Sequence, residues 1–184
     1  HFNVAPRLKS LGIKIAYFIP PKIWVWRRGR LAKMKAWVSR VFCILPFESP
    51  LYETAGIPSE FVGSPLVDEL PWNISKQEAR SELGAWGVSE VSSQDQVLVV
   101  MPGSRETELE NHLVPFLNAA REFARVRGWR VLVVLPQTVE LEFWKSFAKR
   151  SPLLRGPWGR EPEWISGHSG VALRAADLAL VKSG

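Results

Sequence analysis

Residues 97–110 read VLVVMPGSRETELE. Four consecutive branched apolar residues, Val97 to Val100, run into Met101 and Pro102 and then empty into Gly103-Ser104-Arg105. A short continuous apolar run closed by a proline and a glycine fits a strand buried on both faces, as in a parallel sheet. Gly103 lets the backbone come close to a neighbour, Ser104 supplies a hydroxyl, and Arg105 offers a planar fork suited to phosphate oxygens. A helix start a few residues later adds the positive end of its dipole. The stretch is not a Walker loop, which needs a longer glycine-rich span and a lysine. An anion cradle and an ordinary strand-to-helix turn both stay open on this pattern alone.

The segments around it repeat the alternation. Downstream, the spacing of Leu113, Phe116, Leu117, Ala120, Phe123 and Ala124 gives one apolar helix face ending at Gly128. Pro115 argues for a start at Asn111, as N-cap, so that the proline falls where no intrahelical N–H bond is lost. A strand is expected over 131–135, a helix over 139–150, an irregular stretch over 151–164, a short helix over 171–176 and a last strand over 178–181. Upstream, strands are expected over 11–19, 41–45 and 60–63, with helices over 31–39 and 47–55. Ser75 and Glu78 form a capping-box pattern ahead of a helix that stops at Gly84. Strands alternating with helices predict an α/β protein with parallel sheets. The expected organisation is a first domain over 1–70, a linker with its capping helix over 71–96, and a second domain over 97–184. In such sheets ligands sit beyond the carboxyl ends of strands, which here carry "PGSR", "PQT" and "KSG".

Charge separates the two halves. The chain of 184 residues carries +6, yet residues 1–50 hold ten Lys or Arg and a single acid, Glu48. That asymmetry suggests an anionic partner for the first segment. Within it, "PPKIWVWRRGRLAKMKAW" (20–37) mixes Trp24, Trp26 and Trp37 with Lys22, Arg27, Arg28, Arg30, Lys33 and Lys35. Interleaved indoles and cations suit an anionic membrane surface. They also suit single-stranded nucleic acid, or a helix with a packed aromatic side and a solvated basic face. No run of about 18 apolar residues marks a spanning helix. The single cysteine, Cys43, sits in the apolar run "VFCIL" as core filling, which fits a reducing compartment. His1, His112 and His168 lack metal-ligand spacing, and no Gly-x-Ser-x-Gly elbow is present. The chain does not begin with Met and stops just after an apolar run, so it is expected to be an internal piece of a longer protein.

Taken in order, the motifs resemble the lipid-A-disaccharide synthase family. "HFN" (1–3) resembles the end of its Asp-x-Pro-Asp-Phe-Asn motif, and "PPKIWVWRRGR" (20–30) its Ser-Pro-x-x-Trp-Ala-Trp-Arg segment. "LPFE" (45–48), "FVGSPLVDEL" (61–70), "MPGSRETELE" (101–110) and "ADLALVKSG" (176–184) follow in the family's order. Pro20, Val25, His1 and Ser64 stand where the family pattern has Ser, Ala, Asp and His. The resemblance implies a GT-B architecture built from parts of two Rossmann-like, doubly wound domains, the first on the acceptor side and facing the membrane, the second binding a UDP-sugar. It implies an inverting, metal-independent hexosyltransferase that needs no cofactor, the UDP-sugar being substrate. The implied partners are UDP-2,3-diacylglucosamine, 2,3-diacylglucosamine 1-phosphate and the anionic cytoplasmic face of the inner membrane, not nucleic acid. It further implies that Gly103, Ser104, Arg105, Glu108, Ser183 and Gly184 serve the donor diphosphate, and that Trp24, Trp26 and Arg27 line the acceptor side of the cleft. Arg28, Arg30, Lys33 and Lys35 would then face the membrane. The general-base Asp is expected upstream of His1, which would leave this stretch inactive by itself. Another UDP-sugar enzyme of GT-B type, such as a UDP-GlcNAc epimerase or a peptidoglycan precursor transferase, and a basic lipid- or nucleic-acid-binding module are the competing expectations.

Overall fold

A computed structural model describes residues 3–22 and 29–183. The chain divides into two compact units, His1–Glu69 and Leu70–Gly184.

In the first unit, α1 (Ala5–Ser10) leads through a turn at Gly12, where φ is +73°, to β1 (Ala16–Phe18). Next come α2 (Arg30–Trp37), β2 (Arg40–Cys43), α3 (Glu48–Thr54), β3 (Ser59–Phe61) and α4 (Leu66–Glu69). The three strands are parallel in the order β1-β2-β3, with Tyr17 opposite Val41 and Cys43 opposite Phe61. Met34, Val38, Val41, Cys43, Tyr52 and Ile57 make its core. Tyr52 also donates its hydroxyl to Pro21 O at 2.9 Å, tying the double proline to α3. In "LPFE" the buried Glu48 accepts the Leu45 N–H at 3.2 Å and closes the turn after β2. Burial pushes the Cys43 thiol up to about 11, and Glu48 and Glu53 push the same way. A thiol held protonated in a core is inert. The strand expected over 11–19 shortens to Ala16–Phe18, the residues in register with β2, and α1 is not signalled by the apolar spacing.

The second unit begins with α5 (Lys76–Glu82). Its capping box is formed in both directions, with Glu78 N–H on Ser75 Oγ and Ser75 N–H on Glu78 Oε2. A 3-10 turn, Leu83–Trp86, ends at Gly87 in the left-handed region. Then follow β4 (Val97–Met101), α6 (Glu106–Arg127), β5 (Arg130–Leu135), α7 (Leu141–Arg150), β6 (Glu163–Ser166), α8 (Ser169–Ala175) and β7 (Leu178–Val181). All four strands are parallel, in the order β6-β5-β4-β7.

Alternation along the strands explains why the apolar runs are continuous. Leu98, Val100, Val131, Val133 and Leu135 pack with α6 and α7, against Leu109, Leu113, Leu117 and Trp144. Val97, Val99, Leu132, Val134 and Ile165 pack on the other face with Ala79 of α5, Leu83 of the 3-10 turn, and Ala172 and Ala175 of α8. Successive side chains point to opposite faces, and both faces are covered. Residues 70–96 thus contribute to the core of this unit. Asp177 fixes them further: it accepts from Lys76 Nζ, from Arg80 Nη2 at 2.7 Å and from the Val97 N–H at 2.7 Å.

Two expectations fail here. Helix α6 starts at Glu106 rather than after Asn111, and Pro115 lies inside it. An interior proline costs about 3 kcal/mol, but starting the helix early buries Leu109 and completes a 109–113–117 stripe, each leucine worth roughly 2 kcal/mol. Pro115 itself is exposed, so its ring meets solvent. The second miss is β6, which lies within and just beyond the stretch taken as irregular. It is four residues long, pairs only with β5, and carries a single fully buried side chain, Ile165.

Candidate functional site

The order of the second sheet locates the site. The chain steps outward from β4 to β5 to β6 and then returns to the opposite side of β4 to lay down β7. The reversal between β4 and β7 is a topological switch point, where the loops after neighbouring strands part and leave a crevice. A cleft of about 420 Å³ lies there. Its walls are Met101 at the end of β4 with Gly103, Ser104, Arg105 and Glu108 after it, Val134 and Leu135 at the end of β5 with Pro136 after it, Gly167 and Ser169 after β6, and Val181 at the end of β7 with Lys182 after it.

Gly103 has φ +151°, and a Cβ there would lie 2.5 Å from Glu108 Cβ. The glycine is required both by backbone conformation and by the close approach of the loop to α6. Gly103→Ala is therefore expected to push Glu108 aside and to destabilise the unit by about 1–3 kcal/mol, the usual cost of forcing a side chain into such a conformation. Urea unfolding checks this; an unchanged midpoint would show that the loop geometry is immaterial.

Glu108 organises the loop. Its Oε2 accepts the Ser104 N–H at 2.8 Å and lies 3.4 Å from Ser104 Oγ, while Oε1 accepts from Lys182 Nζ at 3.0 Å. The Ser104 N–H and, next, Lys182 lower its pKa to about 2. The sign of the linkage follows: a depressed carboxylate contributes stability above the ordinary Glu pKa of about 4.3 and loses it as pH falls towards 2. The stability difference between the parent and Glu108→Gln should therefore shrink as pH is lowered from about 5 to about 2. Urea midpoints measured across that range check it, and a constant difference would contradict it.

Arg105 is the N-cap of α6, in extended conformation at φ −121° and ψ 151°. Its side chain is exposed, on the cleft wall, and has no ion-pair or hydrogen-bond partner among the described residues. The first-turn N–H groups of a 22-residue helix begin beside it. Of the residues singled out from the sequence, the structure thus brings Gly103, Ser104, Arg105 and Glu108 to one cleft. Ser183 follows Lys182 and is exposed. Gly184, Trp24, Trp26, Arg27 and Arg28 lie outside the described residues. Arg30 opens α2, and Lys33 and Lys35 are exposed along it.

Sequence reasoning placed Lys182 in the "KSG" strand end without a role and missed the Gly167–Ser169 loop. Gly167, with φ +75°, packs so closely on Gln137 that a Cβ would meet its Cγ at 2.6 Å. His168 also takes a positive φ, +55°, and stacks on Trp86 with ring centroids 3.8 Å apart. The signal for this loop was "SGHSG" (166–170), a glycine-bracketed strand-to-helix turn like "PGSR", hidden because β6 was not read as a strand.

A parallel, doubly wound sheet with a Gly-Ser-Arg loop and an exposed guanidinium at its switch point defines a Rossmann-like unit, the kind of unit from which GT-B glycosyltransferases are built. The profile of the lipid-A-disaccharide synthetase family matches residues 1–184, and the chain belongs to that family. Among its relatives, the lipid-A-disaccharide synthase of Myxococcus xanthus (strain DK1622) is 35% identical over 185 residues, covering 100% of this chain and 45% of the relative. That of Burkholderia pseudomallei (strain 1710b) is 36% identical over 185 residues, with 100% and 45% covered. That of Azoarcus sp. (strain BH72) is 34% identical over 179 residues, with 97% and 43% covered. The chain spans less than half the length of these curated relatives.

Proposed function

We propose that the full-length protein transfers 2,3-diacylglucosamine from its UDP donor to 2,3-diacylglucosamine 1-phosphate, releasing UDP, and that the cleft at the ends of β4 and β7 holds the donor diphosphate. The observation that carries this is the exposed Arg105, without an ion-pair partner among the described residues, beside Gly103 and Ser104 at the switch point, in a chain that belongs to the synthetase family along its whole length. Arg105 offsets the negative charge that gathers on UDP as the glycosidic bond breaks, an interaction strongest in the transition state. The α6 N-terminus acts in the same direction. Among the described cleft residues Glu108 is the only carboxylate, and its two oxygens are committed to Ser104 and Lys182. The base that deprotonates the acceptor hydroxyl is accordingly assigned elsewhere in the protein. Ser183, which follows β7, is assigned to the same donor contact, together with Gly184 on the strength of the family resemblance alone.

The first unit is proposed to meet the anionic cytoplasmic face of the inner membrane. Support comes from its basic bias and from exposed Leu11, Phe18, Phe47 and Phe61. Among the described residues no helix is long and apolar enough to cross a membrane. Two measurements on the full-length protein test the proposal. Formation of the disaccharide 1-phosphate from the two diacylglucosamine substrates is expected, together with co-sedimentation with phosphatidylglycerol vesicles but not with neutral ones. A folded protein that forms no disaccharide would end the transferase proposal, and equal binding to neutral vesicles would end the electrostatic one.

A further inference from the structure

Lys182 opens the "KSG" strand end but was given no role by the motifs, yet it is the cation at the end of β7. Its N–H donates to Met101 O at 2.9 Å, which pins it beside the end of β4. Its Nζ lies 3.0 Å from Glu108 Oε1, while Glu108 Oε2 takes the Ser104 N–H at 2.8 Å and lies 3.4 Å from Ser104 Oγ. One internal carboxylate thus engages an ammonium, an amide and a hydroxyl that converge on the cleft. Those are the donors that a phosphate oxygen uses. The pair stands at the cleft wall rather than in the core, with side-chain exposures of 29% for Lys182 and 17% for Glu108. A partly solvated pair can exchange partners at small cost.

We propose that Lys182 is a second anion contact of this cleft, held ready by Glu108 in the free protein and shared with a diphosphate oxygen when the nucleotide enters. The proposal rests on the diphosphate reading of the cleft. Charge supports it. A diphosphate brings more than one negative charge to a site where Glu108 already places another, and Arg105 alone is one cation. Arg105 comes from the loop after β4 and Lys182 from the end of β7, so two cations reach the anion from two strands. An ammonium on a flexible stem suits this exchange, because it presents three donors without fixed orientation.

The alternative is that Lys182 serves only to neutralise Glu108, and a double-mutant cycle separates the two. The probes are UDP and uridine, titrated calorimetrically into the full-length protein. Lys182→Met is expected to weaken UDP about tenfold or more, the loss of one charge-assisted contact, and to leave uridine binding unchanged. The same loss should persist in a Glu108→Gln background, where there is no carboxylate left to neutralise. Lys182→Arg should retain most of the affinity. The proposal is overturned if the loss vanishes in the Glu108→Gln background, if uridine weakens as much as UDP, or if Lys182→Met binds UDP as the parent does. A parent protein that binds no UDP overturns the diphosphate reading and this proposal together. Parent-like binding by Lys182→Met overturns this proposal alone.

Discussion

Alanine in place of Arg105 is expected to lower the proposed transferase activity of the full-length protein about 100-fold or more, the usual size for removing one group aimed at developing charge. The loss should appear in kcat and in kcat/KM, because the guanidinium meets its strongest demand as UDP departs. The fold should survive. Arg105 holds α6 only through its backbone carbonyl, which accepts from Glu108 and Leu109, and alanine keeps that carbonyl. Its side chain is exposed and bonds no other described residue. Lysine should restore part of the rate by supplying charge without the fork. Steady-state kinetics alongside thermal unfolding check both halves. Activity within a few-fold of the parent would remove Arg105 from the chemistry.

Replacing Arg130 by methionine should have the opposite profile: little direct effect on the cleft and a large effect on stability. Arg130 opens β5 and is 2% exposed, at the amino ends of the strands and away from the site. Its guanidinium donates to Glu90 O, to Ser89 O at 2.8 Å, to Asp95 Oδ2 at 3.1 Å and to Glu163 Oε2 at 2.7 Å. Removing it takes a charged donor from two partly exposed carboxylates and from two carbonyls, a loss of about 1.5–3 kcal/mol. Although burial pushes the Glu163 carboxyl up, hydrogen bonds from Ser89 and Arg130 hold it below its ordinary value. That part of the stability is present above the ordinary Glu range and lost on acidification, so the defect should narrow at low pH. Urea unfolding of the full-length protein checks the magnitude. A change below about 1 kcal/mol would show that the network is not integral to the unit.

How much of this the sequence carried depends on what each segment does. Val97–Met101 was legible to the residue because a strand covered on both faces needs an unbroken apolar run. Leu178–Val181 was legible from its apolar run alone, although most of its side chains are exposed at the sheet edge. The capping box at Ser75 was legible because its chemistry is local. Pro115 misled because its local cost is set against burial of Leu109 and Leu113, a tertiary gain that spacing alone does not weigh. Strand β6 escaped because an edge strand with one buried residue leaves almost no pattern. The site shows the same division. Gly103, Ser104 and Arg105 are contiguous and chemically distinctive, so their loop stood out. Lys182 reads as an ordinary surface lysine until the sheet order sets β7 beside β4 and its ammonium against Glu108. The Gly167–Ser169 loop needed β6 before it could be placed at a strand end at all.

The central claim is that the diphosphate of a UDP donor sits at the switch point of the second sheet. The most direct test is an experimental structure of the full-length protein with UDP bound. The account predicts phosphate oxygens within hydrogen-bonding distance of the Arg105 guanidinium and the Gly103–Ser104 loop, with the nucleotide lying across the carboxyl ends of β4 and β7. UDP bound anywhere else, with Arg105 still free in solvent, would contradict it.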